Sequence, residues 1–260
     1  MTFVITTPLY YVNDKPHLGS TYTTIICDSI ARYKRLIGHE VIFITGVDEH
    51  GLKIQRTALN KGVDPQTHCD EISNIFKNNW KDWDITFNKF VRTSSSEHES
   101  IVREFYSKVK KSDDIYMGVQ KGWYCVGCEE FKDNPENSQN FKCPIHLKNL
   151  EWKNEENLFF RLSKYQSQIE KLINEPSFIE PKERRNEIIN FVSKGLKDFS
   201  ISRTNLSWGI AVPDTENHTF YVWFDALLGY ISAININTNE SSLQESIKKG
   251  WPADIHIIGK

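Results

Sequence analysis

The 260 residues, 39% hydrophobic and 25% charged, suit a globular chain of one large domain or two smaller ones, each able to bury a core. A formal net charge of −2 excludes a global basic field of the kind that grips nucleic acid, so any RNA contact must come from local patches. No apolar run approaches the ~20 residues that span a bilayer, no basic segment opens a secretory signal, and five clustered cysteines favour a metal over disulfides, which predicts a cytoplasmic protein without membrane contact.

Phe3-Val4-Ile5-Thr6-Thr7 predicts a first strand, and the stretch from about Thr21 to Leu36 a helix. Between them lies Pro16-His17-Leu18-Gly19-Ser20, a small-residue turn entering that helix. Such a turn aims backbone N–H groups and a positive dipole end at whatever docks there, which suits a phosphate. Gly19 leaves space for a flat base or ribose, and His17 offers a donor; the same residues also fit a plain helix-capping turn. Val41-Ile42-Phe43-Ile44-Thr45 predicts a second strand, ending in Gly46 and followed by Asp48-Glu49-His50-Gly51. Asp48 is able to pair with a substrate ammonium or to cap the next helix, and one residue can do both. His50 is read as orienting a ribose or substrate. Phe90-Val91-Arg92-Thr93 predicts a third strand, and Ser94-Ser95-Ser96-Glu97 caps a helix carrying Ile101, Val102, Phe105 and Val109 at helical spacing. Strands alternating with helices imply a parallel sheet with ligands at its carboxyl ends, so His17 and the Asp48 turn should face one crevice. Cys27 and Cys69 fall at helical positions and read as small buried apolar residues.

The rhythm breaks near Asp113, where short strand-like pieces, Gly118, Gly122 and Gly127, and a polar stretch Lys132–Asn140 follow. Here Cys125-Val126-Gly127-Cys128 and Cys143-Pro144-Ile145-His146 form two knuckles. Two-residue spacers let both side chains of a tight turn reach one ion. Two such turns supply a Cys₃His shell for one Zn²⁺, structural because no coordination position is left open. A redox CxxC would leave the second knuckle unexplained. Helices are predicted over Lys164–Asn174 and about Arg185–Leu196, and Lys182-Glu183-Arg184-Arg185 reads as a solvated face rather than an RNA contact. From Phe220 the strand–helix style resumes, to the final run Ile255–Lys260, so the middle reads as an insertion in one nucleotide-binding fold. The aromatic segment Tyr221–Tyr230 is either core or a pocket in which Trp223 and Tyr230 enclose an apolar side chain and Ala226 leaves room. Sulfur favours aromatic edges, so that pocket would suit a thioether such as methionine's.

Taken in order, Tyr10–Asp14 with Pro16–Ser20, Thr45–Gly51, the two knuckles, Ser200-Ile201-Ser202-Arg203, Tyr221–Ala226 and His256–Lys260 resemble the methionyl-tRNA synthetase family over essentially the whole chain. The His17 turn alone resembles the HIGH signature of all class I aminoacyl-tRNA synthetases; the remaining motifs narrow the resemblance to the methionine branch. It implies an α/β fold with a Rossmann-like parallel sheet, its first half in residues 1–114, an inserted zinc-knuckle connective domain in 115–214, and the start of its second half in 215–260. The implied activity is methionine–tRNA ligase: ATP and methionine give methionyl-adenylate and pyrophosphate, and the methionyl group passes to tRNA(Met), with Mg²⁺ arriving on ATP. The resemblance places Leu9, Tyr11, Asp48, Trp223, Ala226 and Tyr230 around methionine and His17, Gly19 and Ser20 at ATP, with His17 and Ser20 catalytic.

Two positions depart from the family pattern. Ser20 stands where His is usual, and a hydroxyl can donate to a phosphate but carries no positive charge. Leu227 stands where many relatives carry Pro, a mild change in the pocket wall. The resemblance also implies that a chain stopping at Lys260 lacks the KMSKS loop and the anticodon-binding domain, so this piece alone should be inactive. Two competing readings are another class I synthetase, separable by amino-acid-dependent pyrophosphate exchange, and a non-catalytic zinc-stabilised RNA-binding module, which would bind tRNA without forming an adenylate.

Overall fold

Runs of β-branched and aromatic residues, which suit a pleated and half-buried surface, carry the chain through β1 (Thr2–Tyr11), β2 (Glu40–Asp48) and β3 (Lys89–Arg92). Helices α1 (Leu18–Leu36), α2 (Leu52–Asn60) and α3 (Pro65–Asp82) connect them, and α4 (Ser96–Lys111) follows. A computed structural model describes residues 2–132, 142–204, 206–236 and 241–258 of this chain. Most of the polar stretch Lys132–Asn140, and Gly259 and Lys260 of the final run, lie outside the described residues.

The middle of the chain forms β4 (Ile115–Cys125), β5 (Glu130–Lys132), β6 (Glu151–Phe160), α5 (Gln166–Asn174), α6 (Lys182–Val192) and β7 (Phe199–Ser200). Then come β8 (Ser202–Arg203), β9 (Thr219–Phe220), α7 (Val222–Leu227), α8 (Gly229–Ser232), α9 (Leu243–Lys248) and β10 (Ile255–His256). The first sheet has the order β3-β2-β1-β10 and is parallel throughout. The last strand thus lies on the far side of β1, and the strand order reverses between β1 and β10. Ligands of open α/β sheets bind beyond the carboxyl ends at such a reversal.

Period-two alternation sends neighbouring side chains of one strand to opposite faces. Ile5, Phe43 and Val47 join Cys27, Ala31, Cys69, Phe76 and Trp80 on one face, and Val4, Ile44 and Val91 meet Ala233 and Ile234 on the other. Cys27 and Cys69 are fully buried, as their helical spacing predicts. β1 extends past the predicted Thr7 because its ladder with β2 resumes after a register shift between Thr6 and Leu9, where Leu9 pairs with Gly46 and Tyr11 with Asp48. Irregularities of this kind re-aim side chains at sites.

The second sheet, β5-β4-β6-β7, is antiparallel. It shares a core with the first unit: Leu158 of β6 and Ile201 pack with Val102 and Tyr106 of α4 and with Phe220, Phe224 and Leu228. The helix expected to run to Leu196 stops at Val192, ahead of Gly195 in a left-handed conformation. Among the described residues no helix is long and apolar enough to cross a membrane.

Candidate functional site

His17 is the N-cap of α1, and its Nδ1 accepts from the backbone N–H of Gly19 (3.0 Å) and Ser20 (3.4 Å). An imidazole nitrogen that accepts two N–H groups leaves the proton on the other, so Nε2–H is the outward donor. Capping and anion recognition are therefore compatible in this one side chain. Gly19 is needed for the fold of the turn: a Cβ there would sit 2.9 Å from His17 Cε1. From β1, the Tyr10 hydroxyl lies 3.1 Å from the Ser20 carbonyl and 2.7 Å from Thr24 Oγ1, which ties buried Ser20 and Thr24 of α1 to the strand.

Across the ladder, Tyr11 and Asp48 face each other at the carboxyl ends of β1 and β2. Asp48 Oδ1 and Tyr11 Oη are both buried without a hydrogen-bond partner. An unsatisfied buried polar group costs about 1–3 kcal/mol, more when charged, so two side by side mark a place built to receive something. Burial, then the charges of Asp225 and Glu129, push the Asp48 carboxyl well above its ordinary range, while the backbone N–H of His50 pulls it back. A cation placed there would reverse that shift.

Behind this pair the Leu9 N–H donates to the Tyr230 hydroxyl (3.2 Å), and the Tyr230 ring stands edge-on to His256 at 4.3 Å. Gly229 permits the approach, since a Cβ there would meet Leu9 Cδ1 at 2.6 Å. Leu9, Tyr11, Asp48 and Tyr230 are thus brought together, Ala226 is buried on α7, and Trp223 turns half of its surface to solvent.

The other two side chains of the Asp48 turn are anchored. Glu49 is fully buried and accepts from Arg92 Nε (2.8 Å), the Ser94 N–H (3.2 Å), and the hydroxyls of Ser73 and Ser94. His50 Nδ1 donates to Asp225 Oδ2 (2.6 Å), and His98 Nε2 donates to Asp225 Oδ1 (2.6 Å). Burial opposes the charge on Asp225, but His50 and His98 hold its carboxyl down to about 2. Burial likewise works against a charged His50, yet Asp225 carries its imidazole above the ordinary value.

Cys125, Cys128, Cys143 and His146 converge, their ligand atoms all within 4.8 Å of one another. His146 Nδ1 lies 3.7, 3.3 and 3.7 Å from the three sulfurs in chain order, and Cys128 Sγ lies 3.6 Å from Cys143 Sγ. A tetrahedral Zn²⁺ would require about 3.8 Å between sulfurs and about 3.6 Å from sulfur to nitrogen, so the cluster is compatible with a zinc knuckle. Gly127 makes the close packing possible, because a Cβ there would lie 2.7 Å from the His146 ring. Burial opposes ionisation of Cys143, but hydrogen bonds from the His146 backbone and side chain hold its thiol down to about 6. One residue past Cys128, buried Glu129 accepts from the Lys53 N–H (2.7 Å) at the start of α2. Gly51, the N-cap of α2, lies against that carboxylate, where a Cβ would collide at 2.5 Å. The knuckle is thereby docked onto the segment that follows Asp48.

Glu129, His98, Asp225 and His256 escaped sequence reasoning as parts of this site. Asp225 lies inside the aromatic segment, Glu129 next to a knuckle cysteine and His256 at the head of the final motif, whereas His98 stood beside no signal that pointed to the site.

A sequence profile described as tRNA synthetases class I (M) matches residues 3–146 and 132–260. The methionine–tRNA ligase of Nostoc sp. is 53% identical over all of this chain, which spans 49% of that protein. The chloroplastic/mitochondrial methionine–tRNA ligase of Arabidopsis thaliana is 52% identical over all of this chain and 42% of its own length. The chain thus spans about half the length of the curated relatives it matches. Methionyl-tRNA synthetase of Mycobacterium tuberculosis in complex with methionyl-adenylate superposes with a TM-score of 0.91 at 37% identity, covering 99% of this chain and 51% of that one. The apo form of that protein gives a TM-score of 0.80 at 34% identity, covering 99% of this chain and 50% of its own.

Proposed function

The chain belongs to the tRNA synthetases class I (M) family, and from that premise we propose that it carries the methionine- and ATP-binding site of a methionine–tRNA ligase acting on tRNA(Met). The observation that carries this reading is the buried, unpartnered pair of Asp48 Oδ1 and Tyr11 Oη at the carboxyl ends of β1 and β2, next to the reversal of strand order on the other side of β1. An α-ammonium satisfies both: it neutralises Asp48 and donates to the phenol oxygen. Leu9, Ala226, Tyr230 and Trp223 then surround the thioether, whose sulfur favours aromatic edges. The His17 turn faces the phosphates of ATP, with His17 Nε2–H and the Ser20 hydroxyl as donors and the positive end of the α1 dipole behind them.

In this reading the methionine carboxylate attacks the α-phosphorus in line, the bond to the bridging oxygen breaks, and pyrophosphate leaves with that electron pair. Negative charge accumulates on phosphoryl oxygens, so the protein contributes positioning and fixed donors rather than proton transfer. Ser20 supplies a neutral donor where a cation would contribute more. Mg²⁺ enters with ATP. Cys125, Cys128, Cys143 and His146 would hold one Zn²⁺, whose role with four protein ligands is structural. The proposed domains are a catalytic first half in residues 1–114, the connective insertion in 115–214, and the resumption of the catalytic fold from 215.

The test is amino-acid-dependent ATP–pyrophosphate exchange by the full-length protein. Methionine should support exchange. Asp48→Asn should raise the methionine KM by at least about a hundredfold, the scale of losing one partner of a buried charge pair. Exchange with a different amino acid, or tRNA binding with no exchange at all, overturns the reading.

A further inference from the structure

Three segments that share no strand ladder meet at one side chain. Asp225 of α7 is fully buried, and each of its oxygens accepts one imidazole N–H: from His50, two residues past Asp48, and from His98 of α4. His98 is itself fully buried, and its Nδ1 lies 2.9 Å from Ser232 Oγ of α8. The chain of contacts runs from the Asp48 turn, through α7 and α4, to α8. The two short helices it grips carry Ala226 and Tyr230.

Helices of six and four residues have little stability of their own, so neighbours set their positions. Apolar packing is non-directional and lets such pieces slide. A carboxylate held by two charge-assisted hydrogen bonds is directional, and the cost of burying it is met only when both partners are in place. Apolar contacts alone would have sufficed for a wall of indifferent position. We propose that the His50–Asp225–His98 chain is a positioning device that registers the α7–α8 wall against the Asp48 turn and so sets the length of amino-acid side chain the pocket accepts. This rests on the reading of that pocket as a methionine site.

The test uses pyrophosphate exchange by the full-length protein, with KM for methionine, KM for ATP, and kcat/KM for methionine against its S-ethyl homologue. One methylene in an apolar pocket is worth about 10- to 200-fold, which is the discrimination at stake. Asp225→Asn leaves one acceptor for two donors. It should raise the methionine KM about tenfold and lower the preference over the S-ethyl homologue about tenfold, with the ATP KM within about twofold, since only the wall is displaced. Ser232→Ala, at the far end of the chain of contacts, should lower the same preference by a smaller factor, and it keeps the test open if Asp225→Asn fails to fold. Variants that retain the wild-type preference, or that lose methionine use, ATP use and thermal stability in parallel, overturn the proposal. Failure of the methionine reading itself would already be visible in the unsubstituted protein, as exchange that does not depend on methionine.

Discussion

The parallel-sheet region and the knuckle region hold their functional side chains by different means. Around Asp48 the scaffold is over-determined: both sheet faces are covered by apolar side chains, and Glu49 and Asp225 are each held by several hydrogen bonds. Around Cys128, among the described residues, the buried apolar cluster holds Cys125, Cys143 and Leu150, with Trp123 and Cys128 against it, and two of its three buried members are themselves ligand-type residues. The first region spends polar groups to aim a site within a packed core. In the second, candidate metal ligands themselves make up most of the buried cluster among the described residues.

Removing metal should separate the two most strongly. Structural zinc contributes on the order of 10–16 kcal/mol in small knuckles, so chelation from zinc-loaded protein should abolish amide protection in residues 125–132 and 142–150 while β1 to β3 stay protected. Hydrogen exchange reads both regions at once, and loss in both or in neither would erase the contrast.

The reverse experiment is Gly46→Ala. A Cβ at Gly46 would lie 2.3 Å from the Val91 carbonyl oxygen, a backbone atom that cannot swing aside. The expected loss is about 1–3 kcal/mol or more in urea unfolding, with zinc stoichiometry unchanged.

Acid should act on the sheet region through Asp225. Its carboxyl lies at about 2 in the folded chain against 3.8 for the free side chain, so the unfolded state binds the proton first as pH falls. Its stabilisation is present above about pH 4 and disappears as pH drops through about 2. His50 runs the other way: raised above 6.5, it contributes fully below that value and fades as pH climbs past the folded value. Urea unfolding from pH 2 to 8 should show the acid slope in the wild-type chain and a shallower one in Asp225→Asn.

The smallest effect belongs to the charged face at Lys182–Arg185. Arg184 pairs with Glu187 at the surface of α6, and Arg184→Ala should change stability by less than about 0.5 kcal/mol and leave both regions intact. A larger loss would mean that this face packs against something.

Much of this was legible beforehand because it is local chemistry. Ligand spacing of two residues, period-two strands, and the capping side chain of Ser95 act within one turn or one strand, and each forms as the sequence pattern predicts. The helix after the Asp48 turn is a case where a local rule misleads. Asp48 was a candidate cap, but Gly51 takes that position and one carboxylate oxygen of Asp48, Oδ1, is left without a partner at the strand end.

By itself the sequence determined the strand–helix rhythm, the Cys₃His set and the order of motifs that places the chain in its family. Only the tertiary structure decided which carboxylate of the Asp48-Glu49 pair keeps an unpartnered oxygen. Arg92, Ser73 and Ser94 arrive from 43, 24 and 45 residues away to satisfy Glu49, and none reaches Asp48. Asp225 meets His50 across 175 residues and His98 across 127. Burial and pairing set the charge of a carboxyl, and both depend on neighbours that hydrophobic packing brings from elsewhere in the chain.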